Sequence, residues 1–256
     1  MTTHEGRTPS IALIGYGKMG RELEQVAMNK GMTVDAIIDV QSFGNVHALE
    51  RSVLEGSDVC IEFTAPDATV DNIRTLAGFG KNIVVGTTGW YDRLDEVRAI
   101  VEERGIGLIY ASNFSIGVHV FLALVREAGR LFNNHAQYDA AITEVHHRQK
   151  IDAPSGTALT TVEALLSTLT RKRSWISMLP SGPVPDDVLH VSSTRVGAVP
   201  GQHAVQFDSL ADSITLTHTA RNRRGLAEGA LLAASWIHGR KGLYSIEDML
   251  NEFEHV

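Results

Sequence analysis

The chain of 256 residues is 43% hydrophobic and 21% charged, with 30 acidic against 23 basic residues and a net charge of −7. That length supports one large or two modest cores, and an acidic balance without a Lys/Arg stripe disfavours nucleic acid and anionic membrane surfaces as partners. The one cysteine, Cys60, excludes an intramolecular disulfide, and no run approaches the ~18 apolar residues of a membrane span, so a cytoplasmic protein is expected.

In chain order, Ile11 to Ile14 reads as a buried strand, followed by Gly15-Tyr-Gly-Lys-Met-Gly20. A helix follows with Met19, Leu23, Val26 and Ala27 on one stripe, stopping at Gly31. Val34 to Ile38 is a second strand and Val59 to Phe63 a third; a helix over roughly Ala68 to Phe79 turns Val70, Ile73 and Leu76 inward. Asn82 to Val85 and Leu108 to Tyr110 are further short strands. Such β-α-β alternation predicts an α/β fold, a Rossmann-type doubly wound parallel sheet whose ligands bind at the carboxyl ends of the strands. From about Ser115 the pattern changes to an apolar helix (Val118 to Phe132), a strand ending near Glu144, a His-rich segment and another helix. Strand-like runs at Ser192 to Val196, His203 to Phe207 and Ser213 to Thr219 complete a second, α+β domain with an open mixed sheet. The expected division is a dinucleotide-binding domain over 1–114, completed by helices over 224–256, and a substrate-binding and oligomerisation domain over 115–223.

Gly15-x-Gly17-x-x-Gly20 matches the dinucleotide fingerprint, with Tyr16, Lys18 and Met19 between the glycines. The first glycine permits a tight turn, the second lets a pyrophosphate approach, and the third lets helix and strand pack closely. The motif is weak alone, but here it follows a strand, opens a helix, and has Asp39 at the end of the next strand to accept ribose hydroxyls. Val40, Gln41 and Ser42 include no cation to meet a 2′-phosphate, so NADH is preferred and NADPH remains possible. The other strand exits, Phe63-Thr-Ala-Pro66, Gly86-Thr-Thr-Gly89 and Ala111-Ser-Asn-Phe114, carry small and hydroxyl residues that let a ligand near the backbone.

The segment from Glu144 to Ala158 gathers His146, His147, Arg148, Lys150 and a Ser155-Gly156-Thr157 turn that opens an apolar-periodic helix. A helix start offers unpaired N–H groups and the positive end of its dipole, which suits an anion; Lys150 adds charge, and histidines move protons near neutral pH. Adjacent histidines within a strand point to opposite faces, so with both on one strand a single face would take one of His146 and His147. Ser155 is read with this turn as substrate-binding, with a plain N-cap as the alternative. A zinc site from His146, His147 and Asp152 is disfavoured by the fixed charges of Arg148 and Lys150, and no metal is expected.

On these residues the chain resembles the dihydrodipicolinate reductase family, most specifically through the unbroken His146-His-Arg-x-Lys-x-Asp-Ala-Pro-Ser-Gly-Thr-Ala158. Val85-Gly-Thr-Thr-Gly89, Ser112-Asn-Phe-Ser-x-Gly117 and Gly201-x-His203 are further blocks in the family order. The resemblance implies reduction of 4-hydroxy-tetrahydrodipicolinate to tetrahydrodipicolinate in the diaminopimelate route of lysine biosynthesis. It implies His146 as general acid/base, Lys150 as proton donor, and His147, Gly156 and Thr157 at the substrate carboxylates. Gly86, Thr87 and Thr88 with Ala111, Ser112, Asn113 and Phe114 would line the nicotinamide side of the cofactor site, and the assembly would be a homotetramer built through the second sheet. Three positions depart from the family pattern: a shorter first glycine loop, Asp39-Val40 where a basic residue is common, and Leu226 in Asn222-Arg223-Arg-Gly-Leu226-Ala where an aromatic is usual. The segment between Arg171 and Ser193 matches no family motif. Other readings are a different two-domain Rossmann amino-acid or sugar dehydrogenase, or an NAD(H)-sensing regulator without turnover.

Overall fold

The computed structural model describes residues 8–39 and 49–254, so the expectation resting on Val40, Gln41 and Ser42 lies outside the described residues. The chain divides into two compact units, one of Met1–Ser115 with Arg224–Val256 and one of Ile116–Arg223.

The first unit begins with β1 (Ile11–Ile14), α1 (Lys18–Asn29), β2 (Val34–Ile38), β3 (Val59–Glu62), α2 (Pro66–Gly78), β4 (Asn82–Val85), α3 (Leu94–Arg104) and β5 (Gly107–Tyr110). β1 and β3 are buried at every residue, as strands covered on both faces of a parallel sheet must be. α2 starts earlier than its periodicity suggests because Pro66 occupies the first turn, where its missing N–H removes no hydrogen bond.

The second unit holds α4 (Ile116–Phe132), β6 (Asp139–His146), α5 (Gly156–Leu166), β7 (Ser174–Ile176), β8 (Val188–Arg195), β9 (Gln202–Asp208) and β10 (Ser213–Thr219). Its sheet has the order β10-β9-β6-β8-β7. β6 runs parallel to β8 and antiparallel to β9, which makes the sheet mixed. One face of it is the core, where Ala140, Ile142, Leu189, Val191, Val205 and Phe207 meet Phe121, Leu122 and Val125 of α4 and Val162 and Leu165 of α5.

The chain then returns to the first unit through α6 (Arg224–Ile237), β11 (Gly242–Ser245) and α7 (Ile246–Glu254). The first sheet has the order β11-β5-β4-β3-β1-β2 and is parallel throughout.

Two strands escape the sequence reading. β11 is a half-buried edge strand of four residues in a stretch read as wholly helical. β7 has three residues inside the unplaced segment, too short to show an alternation. Beside it, Lys172 is buried with its Nζ 2.9 Å from the Val188 carbonyl and 2.6 Å from Asp139 Oδ1, tying that segment to the sheet.

Candidate active site

In the first unit the absence of side chains builds the site. Gly15 has φ +94°, and a Cβ there would lie 2.2 Å from the Phe63 carbonyl oxygen. A Cβ at Gly20 would lie 2.3 Å from the Gly15 carbonyl oxygen, whereas one at Gly17 would meet nothing within 4 Å. The first and third glycines therefore bring chain against chain, and the second faces open space at the start of α1, where no side chain caps the helix. First-turn N–H groups beside open space fit a pyrophosphate. The Tyr16 N–H donates to Asp39 Oδ2 at 2.8 Å, which places a carboxylate at the loop.

The remaining strand exits of this unit are drawn together as well. The Phe63 ring fills the space a Cβ at Gly86 would take, 2.0 Å from its Cζ, and lies 6.4 Å from the Phe114 ring. Thr87 accepts from the Thr64 N–H at 2.8 Å, and its carbonyl accepts from the Trp90 indole at 2.8 Å. Thr87, Ala111 and Phe114 are buried, while Thr88 and Ser112 are exposed. Asn113 Oδ1 accepts from the Ser115 N–H at 2.8 Å and closes the turn. Beneath this edge Glu62 is fully buried, and burial raises its pKa above the ordinary carboxylate range against the hydrogen bonds of Thr64, Thr87 and Asn72.

In the second unit buried side chains build the site. Residues two apart on a strand share a face, so Glu144 and His146 continue the inward row of Ala140 and Ile142. Register places His203 on β9 and Ser193 on β8 opposite Glu144, and Arg195 opposite His146. Glu144 Oε1 accepts from Ser193 Oγ at 2.7 Å, Arg195 Nη2 at 2.9 Å and the Ser155 N–H at 3.0 Å. Oε2 lies 2.8 Å from His146 Nδ1, an ion-pair contact in which the ring N–H is not aligned as a full hydrogen bond. Burial would raise the Glu144 pKa, but the bonds from Ser155, Ser193 and Arg195 outweigh it and hold it to about 2. Burial lowers the His146 pKa, the Glu144 charge opposes that, and Lys150 and Arg195 reinforce it; the net is a depressed value. His203 is lowered to about 4, by burial and then by the neighbouring His146.

Ser155 is the N-cap of α5: its Oγ accepts from the Ala158 N–H at 3.2 Å and lies 3.1 Å from His203 Nε2. With its own N–H given to Glu144, Ser155 works within the protein, and the exposed Gly156 and half-exposed Thr157 present the first-turn N–H groups. A Cβ at Gly156 would meet nothing within 4 Å, so the helix start opens on free space. His147 follows the end of β6, half-buried, with Nδ1 lacking a hydrogen-bond partner. Lys150 Nζ is held by Asp152 at 2.8 and 2.9 Å.

Among the described residues, Glu144, His146 and His203 bring ligand-type atoms within 4.8 Å of one another. The Arg195 guanidinium on the same carboxylate makes this a poor place for a cation, and neither His147 nor Asp152 belongs to the cluster. Sequence reasoning named His146 but assigned nothing to Glu144, Ser193 or Arg195. The Glu144/His146 spacing was a signal for one shared face; the cross-strand partners had none.

Two protein-family models match this chain. The model described as "Dihydrodipicolinate reductase, N-terminus" matches residues 9–114, and "Dihydrodipicolinate reductase, C-terminus" matches residues 117–250. A 4-hydroxy-tetrahydrodipicolinate reductase of Christiangramia forsetii is 35% identical over 243 residues, covering 95% of this chain and 98% of its own. One from Acinetobacter baumannii is 33% identical over 267 residues, covering 94% and 96%. Among solved structures, the dipicolinate-bound dihydrodipicolinate reductase of Paenisporosarcina sp. TG-14 superposes with a TM-score of 0.76 at 24% identity, covering 95% of this chain and all of that one, and supports the fold. With two family models spanning both units and relatives matched nearly end to end, the chain belongs to the dihydrodipicolinate reductase family.

Proposed function

We propose that this chain reduces 4-hydroxy-tetrahydrodipicolinate to tetrahydrodipicolinate in lysine biosynthesis, with NADH preferred as the reductant. Substrate and product differ by one hydroxyl oxygen, so the reaction takes up a hydride and a proton and releases water. A bound nicotinamide cofactor supplies the hydride. The open helix start at Gly17 cradles its pyrophosphate, and Asp39 receives the ribose hydroxyls. Gly156 and Thr157 offer N–H groups to one substrate carboxylate, with His147 and Lys150 close in sequence to add donors and charge. His146 exchanges the proton as general acid/base, and Lys150, once released from Asp152, donates to the substrate. Assembly as a homotetramer in the cytoplasm completes the proposal; no helix among the described residues is long and apolar enough to cross a membrane.

The observation that carries this reading is the unbroken segment from His146 to Ala158, which joins a buried histidine to an open helix start. The test is oxidation of NADH in the presence of product freshly made by dihydrodipicolinate synthase, with pyruvate, aspartate semialdehyde and simple sugars as competitors. Turnover confined to the fresh product is expected. Turnover of a simple sugar or amino-acid precursor instead would make the chain a different dehydrogenase.

A further inference from the structure

We propose that Glu144 is the positioning residue for His146: its Oε2 holds the ring through Nδ1, so that Nε2 is the atom that gives and takes the proton. The inference rests on the assignment of His146 as general acid/base and names what orients it.

The two carboxylate oxygens of Glu144 have different tasks. Oε1 takes three donors from two elements: the Ser155 N–H at the start of α5, and Ser193 and Arg195 on β8. Three bonds from two directions stop the carboxylate from rotating and keep it ionised. Oε2 then faces His146 Nδ1 at 2.8 Å and stands 3.9 Å from His203 Nε2. His203 in turn is held at 3.1 Å from Ser155 Oγ, and its ring meets the His146 ring edge-on at 5.1 Å between centroids. On the far side of the His146 ring the chain comes close without a side chain, since a Cβ at Gly201 would lie 3.0 Å from Nε2. Nδ1 thus faces the Glu144 carboxylate and Nε2 faces the side-chain-free Gly201, an arrangement in which the charge of Glu144 favours the proton on Nδ1.

A purely architectural role is the competing account, because the Ser155 N–H contact also ties α5 to the sheet. Charge separates the two. The titratable and charged groups facing His146 are Glu144 on its own strand, Arg195 on β8, His203 on β9 and Lys150 in the following loop, with His218 of β10 behind His203. Of these Glu144 alone favours the protonated ring, so its loss moves His146 deprotonation to lower pH.

The experiment compares Glu144→Gln with Glu144→Asp in the full-length protein. Positioning by charge predicts that Glu144→Gln lowers kcat on the order of 10²-fold and moves the limb that reports deprotonation of the acid towards lower pH. Glu144→Asp keeps the charge, so it should recover part of kcat and leave that limb near its wild-type place. A packing role reverses the ranking, because Gln preserves size: Glu144→Gln at or above Glu144→Asp, with the limb unmoved, overturns the proposal. A second measurement needs neither substrate nor a folded variant. Nitrogen-15 spectra of the wild-type imidazoles should show neutral His146 with its proton on Nδ1; a proton on Nε2 overturns the proposal even if turnover is normal. Conversely, the Nδ1–H tautomer in a protein that fails to reduce the expected substrate would sink the functional reading while leaving the Glu144–His146 relation standing.

Discussion

The glycine loop of the first unit and the Glu144–His146 cluster of the second are built by opposite means. The loop works through what is missing: Gly15 and Gly20 admit backbone where any Cβ would collide, and Gly17 leaves open space. The cluster works through what is present, a carboxylate, two histidines, two serines and an arginine brought together by strand register. A site made of backbone is written locally in the chain. A site made of register is distributed over three strands and a helix start.

Substitutions should therefore fail differently in the two regions. In the cluster, His146→Gln is expected to lower kcat on the order of 10²-fold or more while NADH affinity stays at the wild-type value, since one proton-transfer group is lost and the loop is untouched. Lys150→Ala should lower kcat less and raise the substrate KM as well, because it removes a charge that pairs with a carboxylate. Near wild-type turnover in His146→Gln would move the catalytic assignment to His147.

Binding should divide the same way. Gly20→Ala forces a methyl to 2.3 Å from the Gly15 carbonyl, so the loop must shift. NADH affinity should fall roughly 10- to 100-fold by calorimetry, equivalent to about 1–3 kcal/mol of strain, with the substrate KM unchanged at saturating cofactor. Gly156→Val should do the converse. Its side chain enters the open space at the start of α5, so inhibition by pyridine-2,6-dicarboxylate should be lost while NADH binding persists. Loss of NADH binding in Gly156→Val, or equal inhibition of the wild type by mono- and dicarboxylates, would sink the anion-site assignment.

The two regions should also respond to pH with opposite sign. His203 falls from 6.5 to about 4 and Glu144 from 4.5 to about 2 on folding, so the unfolded chain binds more protons. Their stabilising effect is fully present above pH ~6.5 and is lost as pH falls, first through the histidine window and then through the carboxylate one. Glu62 is raised by burial, so its folded form binds more protons, and its contribution is present below its ordinary pKa and lost as pH rises. Hydrogen exchange corrected for intrinsic rates should show β6 amides losing protection between pH 7 and 5. Over the same interval β3 amides should hold or gain. A parallel loss in both strands would contradict the assignment.

Legibility in the sequence followed the same division. Ile11–Ile14 with its glycine loop, Val34–Ile38 with Asp39, and Ser213–Thr219 could be read directly, because period and punctuation coincide within a few residues. β8 was placed only from Ser192, although it starts at Val188, and β7 and β11 were missed; short or half-buried strands carry too few alternations to register. Within the site, His146 and the helix start stood out as a contiguous segment. Ser193 and Arg195 did not, since their part depends on pairing with Glu144 and His146 across β8 and β6. Ser155 could be read either as ligand-binding or as a cap, and its atoms engage Glu144, His203 and Ala158.

Cofactor choice should show the smallest effect and sharpens the contrast most, because it asks a side chain to act within the backbone-built site. Asp39 is oriented by the Tyr16 N–H, 2.8 Å from its Oδ2, and a carboxylate there favours ribose hydroxyls and repels a 2′-phosphate. A cation from elsewhere could reverse this. Arg51 is already committed, with Nη2 2.8 Å from the Gly78 carbonyl and its guanidinium 5.1 Å from the centre of the Phe79 ring. Lys18, exposed at the first turn of α1, is the nearer candidate in sequence. The wild type is therefore expected to have a higher kcat/KM with NADH than with NADPH. Asp39→Ala should narrow the ratio by roughly tenfold, the effect of losing one charge-assisted hydrogen bond together with the repulsion. A wild-type preference for NADPH that Lys18→Ala removes would instead mean that charge on α1 decides the cofactor, and that the loop depends on side chains as the second site does.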